Sequence, residues 1–218
     1  MTYHFDWSVL LRHQADLLAG LRATALLTAV GLAGSLALGI VVGVGRTART
    51  RWVRWVFAGY VELFRNVPLV VQMFFWFFAA GLGSLTAAVI GLVCYSGAYM
   101  GEVVRAGLQA IPRGVADAGL SVGLAPGQVV RHVLLPYALT ITVPPLTNEA
   151  LNVLKNSSVA MTVAVAELTF QTQAINAYTF RGFEAATAVT CGYVGLGLVL
   201  VVVATVAQRR LGVARRVG

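Results

Sequence analysis

The chain has 218 residues, of which 58% are hydrophobic and only 11% are charged. Soluble domains have about 25% charged residues, so this composition excludes an ordinary soluble domain and indicates a membrane protein. The net charge of +8 does not indicate nucleic-acid binding, because no basic face interleaved with aromatic residues is found. Cys94 and Cys191 lie inside apolar runs, which favours small packing residues over metal ligands or a disulfide.

The amino-terminal residues 1–22 combine aromatic and charged side chains and predict an interfacial segment outside the membrane. Tyr3 and Trp7 suit the headgroup level, where tyrosine and tryptophan are enriched. The segment lacks the basic start and apolar core of a cleavable signal peptide, so we expect the first span to serve as the insertion signal.

Five apolar segments predict membrane-spanning helices, because a span needs about 20 mostly apolar residues. They cover about 23–45, 56–80, 85–102, 133–154 and 185–207. We therefore expect an all-α integral membrane protein with five transmembrane helices, in a single membrane domain over 23–207. A basic tail over 208–218 follows the last span.

Three segments depart from simple spans. The second span is interrupted by charged and polar residues and a proline, namely Glu62, Arg65, Asn66 and Pro68. Three prolines predict a kink in the helix of the fourth span: Pro136, Pro144 and Pro145. The moderately polar region 156–184 predicts a re-entrant or surface helical hairpin on the outside.

The basic residues predict the orientation of these spans. With the amino terminus outside and the carboxyl terminus in the cytoplasm, eleven of the sixteen lysines and arginines are cytoplasmic and four are outside. Positive charge concentrates on the cytoplasmic side of membrane proteins, so this topology is favoured over its mirror image.

The segment 103–136 between the third and fourth spans is polar and is interrupted by prolines and glycines, which predicts short amphipathic helices. Such a segment lies at a membrane surface and does not cross it. In so apolar a chain it indicates a docking platform for a cytoplasmic partner. The chain has no repeat that gives inverted halves, so we also expect a second subunit.

The docking platform contains a recognisable motif. Asp117, Ala118 and Gly119 are followed at fixed spacing by Gly123 and by the run from Val133 to Pro136. This pattern resembles the EAA loop of ATP-binding-cassette importer permeases, which reads E-A-A, three residues, G, nine residues, I-x-L-P. Asp117 replaces Glu, Gly119 replaces the second Ala, and Val115 stands where Gln is usual, so charge and small size are kept at the first two positions.

Further strings extend the resemblance over nearly the whole chain. They are ELFRNVPL at 62–69 with Gln72 and Phe74, Gly97-Ala98-Tyr99 with Glu102 and Arg105, and LKNSS at 154–158. These strings are similar to signatures of polar amino acid permeases and, more narrowly, of glutamate/aspartate permeases. The resemblance implies a permease of a glutamate/aspartate importer, with glutamine, histidine or arginine as alternative substrates.

The resemblance also implies the fold and the partners. The fold is that of a type I importer permease, and the protein is a non-catalytic subunit in the bacterial inner membrane. Its partners are a cytoplasmic ATPase dimer, a second permease subunit that is identical or paralogous, and an external amino acid-binding protein. The sequence has no G-x-x-x-x-G-K-[ST] motif, so we expect ATP and Mg²⁺ on the ATPase and no cofactor or metal on this chain.

The residues expected to couple the permease to the ATPase are Gly114, Asp117, Ala118, Gly119, Gly123 and Pro136. We expect the platform helix to lie in a cleft of the ATPase. Gly119 and Gly123 would permit close approach, and Asp117 near the helix start would be favoured by the helix dipole.

Arg65 is the leading candidate for the substrate pathway. A cation within a span costs about 2.5 to 3.5 kcal/mol or more unless it is paired or hydrated, so such residues mark pathways. With Glu62 and Asn66 it would form a polar pocket in which the guanidinium binds a carboxylate through two hydrogen bonds. The alternatives are a structural Glu62–Arg65 pair, or an Arg65 side chain that reaches the membrane surface.

The other pathway candidates are weaker. Glu102 either binds the ammonium group of the substrate or pairs with Arg105. Hydrogen-bond donors follow the fourth span without a nearby acid, which favours an acidic substrate over a cationic one; they are Lys155, Asn156, Ser157 and Ser158. The alternative interpretation of these donors is a solvated helix end. Gln72 and Asn152 complete the set. A single-chain channel or membrane enzyme remains an alternative function, but neither would need the spacing of the docking platform.

Overall fold

Within residues 4–210, which the computed structural model of the protein describes, the chain forms helices and no strands. Tyr3 and the end of the basic tail, with Arg215 and Arg216, lie outside the described residues. In chain order the α-helices are α1 (Trp7–Arg12), α2 (Gln14–Gly45), α3 (Arg51–Asn66), α4 (Leu69–Phe74), α5 (Ser84–Gln109), α6 (Arg113–Ser121), α7 (Pro126–Val129), α8 (Leu135–Asn156), α9 (Leu168–Thr179) and α10 (Gly182–Arg210).

Three shorter helical turns extend these helices. A π-helical turn at Phe75–Ala79 continues α4, a second at Val130–Leu134 joins α7 to α8, and a 3₁₀ turn at Ser157–Val163 follows α8. Between residues 4 and 210, four helical segments are long and apolar enough to cross a membrane, and the bent pair formed by α3 and the segment Leu69–Ala79 makes a fifth if it counts as one span.

The first spanning helix starts earlier than the sequence pattern indicates. α2 has 32 residues and begins at Gln14, so it includes much of the segment 1–22 that was expected to lie outside the first span. Before it, Trp7–Arg12 forms the short helix α1. The Asp6 carboxylate accepts the Ser8 backbone N–H at 2.9 Å and caps this helix.

α2 and α5 pack closely along most of their lengths. A Cβ at Gly39 would lie 2.6 Å from the Met100 Cβ, and one at Gly43 would lie 2.6 Å from the Val104 Cβ. Because the contact partner advances along α5 as the glycine advances along α2, the two helices run parallel. Small residues at such a contact let helix backbones approach closely in a membrane.

The second predicted span, over 56–80, is not one continuous helix, and it corresponds to the bent pair formed by α3 and the segment Leu69–Ala79. α3 and the following helix meet at an angle of 103°. Pro68 has no N–H to continue the ladder and restricts Val67 to an extended conformation, with φ −99° and ψ 128°. The Gln72 amide donates to the carbonyls of Phe64 and Val67, both at 2.9 Å, and satisfies the end of α3.

The polar segment between the third and fourth spans is shorter than 103–136. α5 continues to Gln109, so Arg105 belongs to the third spanning helix. The helical segment of the fourth span begins at Pro126, and it therefore includes Arg131 and His132. α8 then continues through Pro144 and Pro145 to Asn156. A π turn at Val130–Leu134 precedes α8 and ends two residues before Pro136.

The region 156–184 is helical, as expected, but two of its carboxylates are fully buried, which its polar composition did not suggest. Glu167 caps α9 by accepting the N–H groups of Thr169 and Phe170, and it accepts the Tyr193 hydroxyl of α10 at 2.6 Å. Glu184 accepts the Asp6 N–H at 3.1 Å. Both side chains are 0% exposed. These bonds join α9 to α10, and α10 to the amino-terminal segment.

Candidate functional site

The helix α6 presents the central residues of the EAA-like motif to solvent. Asp117 and Ala118 are exposed on a helix of nine residues, and Leu120 beside them is 48% exposed. Asp117 lies beyond the first turn of α6, which contains no acidic residue. The expectation that the helix dipole favours Asp117 is therefore wrong, because the dipole acts within the first turn.

The glycines of the motif have structural roles within the chain, at the packing face of α6 and at its end. Gly119 is buried, and a Cβ there would lie 3.1 Å from the Val129 side chain, so its close approach is to α7 of the same chain. Gly123 has φ +86°. The Gly123 N–H bonds to Leu120 O at 3.0 Å and the Leu124 N–H to Gly119 O at 3.3 Å, which is a Schellman motif.

Gly114 and Pro136 flank this arrangement. Gly114 is exposed and a Cβ there would meet nothing within 4 Å, so Gly114 needs no close approach within the described chain. Pro136 follows the π turn at Val130–Leu134, in which the Leu135 N–H bonds to Val130 O. Since proline has no N–H, the regular α-helical bond to the carbonyl four residues earlier cannot form there. Pro136 therefore lies where the π turn gives way to the regular helix α8.

A small polar cavity, here called the chamber, lies between α5 and α8. Its volume is about 190 Å³, and its lining residues are Tyr95, Ser96, Tyr99, Glu149, Asn152 and Asn156. The Asn152 amide donates to the Glu149 carboxylate at 3.4 Å, and the Tyr95 hydroxyl donates to that of Tyr99 at 3.3 Å. The Ser96 hydroxyl is buried without a hydrogen-bond partner among the described residues. The chamber thus offers donors and acceptors inside an apolar bundle.

Arg65 lies against one wall of this chamber. Its guanidinium carbon is 4.9 Å from the centroid of the Tyr99 ring, which is a cation–π contact. Glu62 accepts the Asn66 amide at 3.1 Å, so the expected polar group at 62–66 is divided. Glu62 and Asn66 bond to each other at the exposed end of α3, while Arg65 contacts α5.

Three other predicted pathway residues have structural hydrogen bonds. Gln72 is buried and satisfies the end of α3, as described above. Ser157 is fully buried, and its hydroxyl donates to Leu154 O at 2.7 Å. The Ser158 hydroxyl donates to Lys155 O at 2.7 Å. These groups satisfy helix ends, so the row of donors expected after the fourth span is reduced to Lys155, which is exposed, and Asn156.

Glu102 pairs with two arginines and does not line the chamber. One carboxylate oxygen accepts from Arg46 at the end of α2, and the other accepts Arg105 Nε at 2.9 Å. Of the two interpretations of Glu102, the structure therefore supports pairing with Arg105, and it adds Arg46 as a partner that the sequence did not suggest.

Sequence reasoning missed Tyr95, Ser96 and Glu149 as lining residues, and it used Tyr99 only as part of a family string. A spacing signal was present. Residues 95 and 99 are four apart, and residues 149, 152 and 156 are three and four apart, so each set lies on one helix face. Among the described residues, no group of three or more His, Cys, Asp or Glu side chains is placed to hold a metal ion.

This bundle of apolar helices, with one exposed polar helix at an end and a polar chamber within it, has the architecture of a transport permease. Residues 35–213 match the family model described as binding-protein-dependent transport system inner membrane component. This match covers most of the chain, which therefore belongs to that family.

Two relatives and one solved structure narrow the class. The chain is 35% identical over 214 residues to the glutamine transport system permease protein GlnP of Escherichia coli (strain K12), covering 95% of this chain and 98% of GlnP. It is 33% identical over 199 residues to the glutamate/aspartate import permease protein GltJ of the same organism, covering 83% and 81%. The crystal structure of an amino acid ABC transporter with histidines matches with a TM-score of 0.85 at 27% identity, covering 96% of this chain and 100% of that one.

These findings confirm the resemblance to polar amino acid importer permeases and the type I importer fold. The chain is a non-catalytic, multi-pass inner-membrane subunit, and ATP hydrolysis belongs to a separate subunit. A permease of this type works with an ATPase, a partner permease and a binding protein.

Proposed function

We propose that this chain forms the membrane pathway for a polar neutral amino acid of the glutamine type, imported at the expense of ATP bound with Mg²⁺ by the separate ATPase. The observation that supports this most directly is that one anion, Glu149, lines the chamber while one cation, Arg65, lies against the ring of its lining residue Tyr99. Arg65 is positioned to bind the substrate carboxylate and Glu149 to bind its ammonium group.

The uncharged groups favour a neutral side chain. With Arg65 and Glu149 assigned to the two charges of the amino acid, Asn152, Asn156 and the tyrosine hydroxyls remain for a carboxamide. Glutamate or aspartate would bring a second carboxylate into the chamber. Its two carboxylates would then lie near the Glu149 carboxylate, with Arg65 as the one cation that offsets them. GlnP, which transports glutamine by its name, is consistent with this choice.

Glutamate or aspartate, the substrate expected from the sequence, is the second candidate. It is favoured by Lys155, which is exposed at the end of α8 three residues after Asn152 and supplies a second cation. The name of GltJ is consistent with this alternative.

The proposed coupling uses α6. It docks in a cleft of the ATPase, and closure of the two ATPases draws the α6 helices of the two permeases together, which switches the pathway between outward and inward openings. The partner permease is a copy of this chain or a paralogue. The amino terminus lies outside and the carboxyl terminus in the cytoplasm, since this places most arginines inside.

Equilibrium binding of radiolabelled amino acids to the permease–ATPase complex in nanodiscs, without binding protein, tests the substrate. We expect glutamine to bind more tightly than glutamate, aspartate, histidine or arginine. Glu149→Gln should weaken glutamine binding about tenfold by removing the partner of the ammonium group, and Lys155→Gln should change it less than about twofold.

The second candidate gives the opposite pattern: glutamate binds best, and Lys155→Gln weakens it about tenfold. Binding that is unchanged in Glu149→Gln would show that the chamber is not the substrate site. ATP-dependent uptake into vesicles of the same complex with its binding protein checks the importer class separately.

A further inference from the structure

A second polar cavity lies at the end of the bundle where α2 ends and α3 begins. Its volume is about 400 Å³, and it is lined by Arg46, Arg54, Trp55, Ala58, Arg105 and Gln109. It is separate from the chamber, with which it shares no lining residue. Three different helical segments contribute to it: the end of α2, the first two turns of α3 and the end of α5.

The cavity has an excess of positive charge. Three guanidinium groups line it, and the carboxylate that pairs with them among the described residues is Glu102 alone, bound by Arg46 and Arg105. Arg54 Nη1 donates to the backbone carbonyls of Ala48 and Arg49 at 2.9 and 3.0 Å, which fixes the side chain. A guanidinium has five N–H donors, so Arg54 and Arg46 each retain donors for an anion.

The residues around the cavity place it at a membrane face. Trp52 and Trp55 are 69% and 68% exposed, and exposed tryptophans of this kind lie at the headgroup level. Val56 and Leu63 follow on the exposed surface of α3 and continue the apolar wall toward the hydrocarbon region. The cavity therefore has charged groups at its polar end and an apolar surface next to them, which matches the two parts of a phospholipid.

We propose that this cavity binds the phosphodiester group of an anionic phospholipid such as phosphatidylglycerol. The guanidinium groups of Arg54 and Arg46 bind the phosphate oxygens, and Trp55 and Val56 contact the adjoining glycerol and acyl chains. Basic pockets at the cytoplasmic side of membrane proteins are suited to anionic headgroups.

Such a lipid would add to the contacts that hold α3 against the bundle. Val61 of α3 is fully buried, and the Tyr60 hydroxyl donates to Cys94 O of α5 at 2.6 Å. A phosphate held by Arg54 of α3 and by Arg46 beside the α2–α5 pair would add a further bridge near the start of α3. The lipid would thus stabilise the position of α3.

The test measures lipid binding to the detergent-purified permease–ATPase complex by native mass spectrometry, with titration of dioleoyl phosphatidylglycerol or dioleoyl phosphatidylcholine. We expect wild type to bind phosphatidylglycerol at least about tenfold more tightly than phosphatidylcholine, since only the former has a net negative charge. Arg54→Gln should weaken phosphatidylglycerol binding about tenfold by removing the fixed guanidinium.

Arg51→Gln is the matched control, because Arg51 is exposed at the same membrane face but does not line the cavity. It should change binding less than about twofold, whereas general attraction of the surface for anionic lipid would make both variants lose binding equally. Arg54→Lys keeps the charge but not the planar donor pair, so we expect an intermediate loss of phosphatidylglycerol binding of about threefold. This variant replaces Arg54→Gln in the test if Arg54→Gln does not fold.

Three results would overturn the proposal: equal losses in Arg54→Gln and Arg51→Gln, no preference for phosphatidylglycerol, or displacement of the lipid by millimolar inorganic phosphate. The last result would indicate a site for a free anion. None of these results bears on the amino acid bound in the chamber.

Discussion

The α6 helix and the chamber differ in what surrounds their polar groups. On α6, Asp117 and Ala118 face solvent, and the opposite face of this short helix packs through Gly119 against Val129. In the chamber, Asn152 bonds to Glu149 within α8 and Tyr95 bonds to Tyr99 within α5, and these partly buried side chains line a cavity of about 190 Å³. In the proposed function, the first surface contacts a large partner and the second binds a small molecule. Substitutions should therefore separate coupling from substrate binding.

The largest expected effect is on coupling. Asp117→Arg reverses an exposed charge at the centre of α6, and we expect ATPase binding to weaken about 100-fold, because an unpaired charge at an interface costs about 3 kcal/mol. Binding of the purified ATPase to the permease in nanodiscs measures this. Asp16→Arg, the same change at an exposed position of α2, is the control. An equal loss in both variants would contradict a docking role for α6.

A smaller effect on coupling is expected at the turn after α6. Gly123→Ala places a side chain at φ +86°, a conformation that costs an L-residue about 1 to 2 kcal/mol, so coupled ATP hydrolysis should fall about tenfold. Gly127→Ala is the matched control, since Gly127 lacks a positive φ and a Cβ there meets nothing within 4 Å. If the two variants hydrolyse ATP alike, the Schellman motif does not set the position of α6.

In the chamber we expect the reverse pattern. Asn152→Ala removes one uncharged hydrogen-bonding group, worth about 1 kcal/mol, and should weaken amino acid binding about fivefold with ATPase binding unchanged. Asn148→Ala, an exposed asparagine of the same helix that does not line the chamber, is the control. Loss of ATPase binding in Asn152→Ala would show that the two regions are not separable.

The smallest effect is expected at Asp6, which belongs to neither region. Hydrogen bonds from Ser8, with the nearby charges of Arg12 and Arg181, hold the pKa of the Asp6 carboxyl below its usual value. A lowered pKa in the folded state adds stability above the unfolded-state pKa, and this stability disappears as pH falls through the folded-state pKa. Asp6→Ala should therefore lower the melting temperature slightly at pH 7 but not below the folded-state pKa of Asp6, with coupling and amino acid binding within about twofold of wild type. A melting difference that persists at low pH would contradict this origin.

The sequence predicted the membrane class, the five apolar segments and the position of the exposed helix, because hydropathy and motif spacing depend on residues close together in the chain. It also predicted an interruption of the second span, because Pro68 cannot continue a helix. It did not predict the 103° bend, which depends on how the Gln72 amide satisfies carbonyls across the break.

The chamber was harder to predict than α6. Its residues come from α5 and α8, which are about 50 residues apart in the chain, so the register between the two helices decides which side chains meet. Ser157 was assigned to the substrate and Glu102 was left undecided for other reasons. Their partners are a local carbonyl and Arg46, and neither partner is visible in residue type alone.

The close glycine contacts between α2 and α5 have a mechanical consequence. Three residues connect α5 to α6. α5 also packs tightly against α2 at Gly39 and Gly43, and the Glu102–Arg46 ion pair joins the two helices. Farther along α2, the Thr24 hydroxyl accepts the Leu168 N–H at 3.0 Å at the start of α9. We expect α2 and α5 to move as one rigid body. A displacement of α6 at one membrane face would then displace α9 at the other face without rearrangement between α2 and α5.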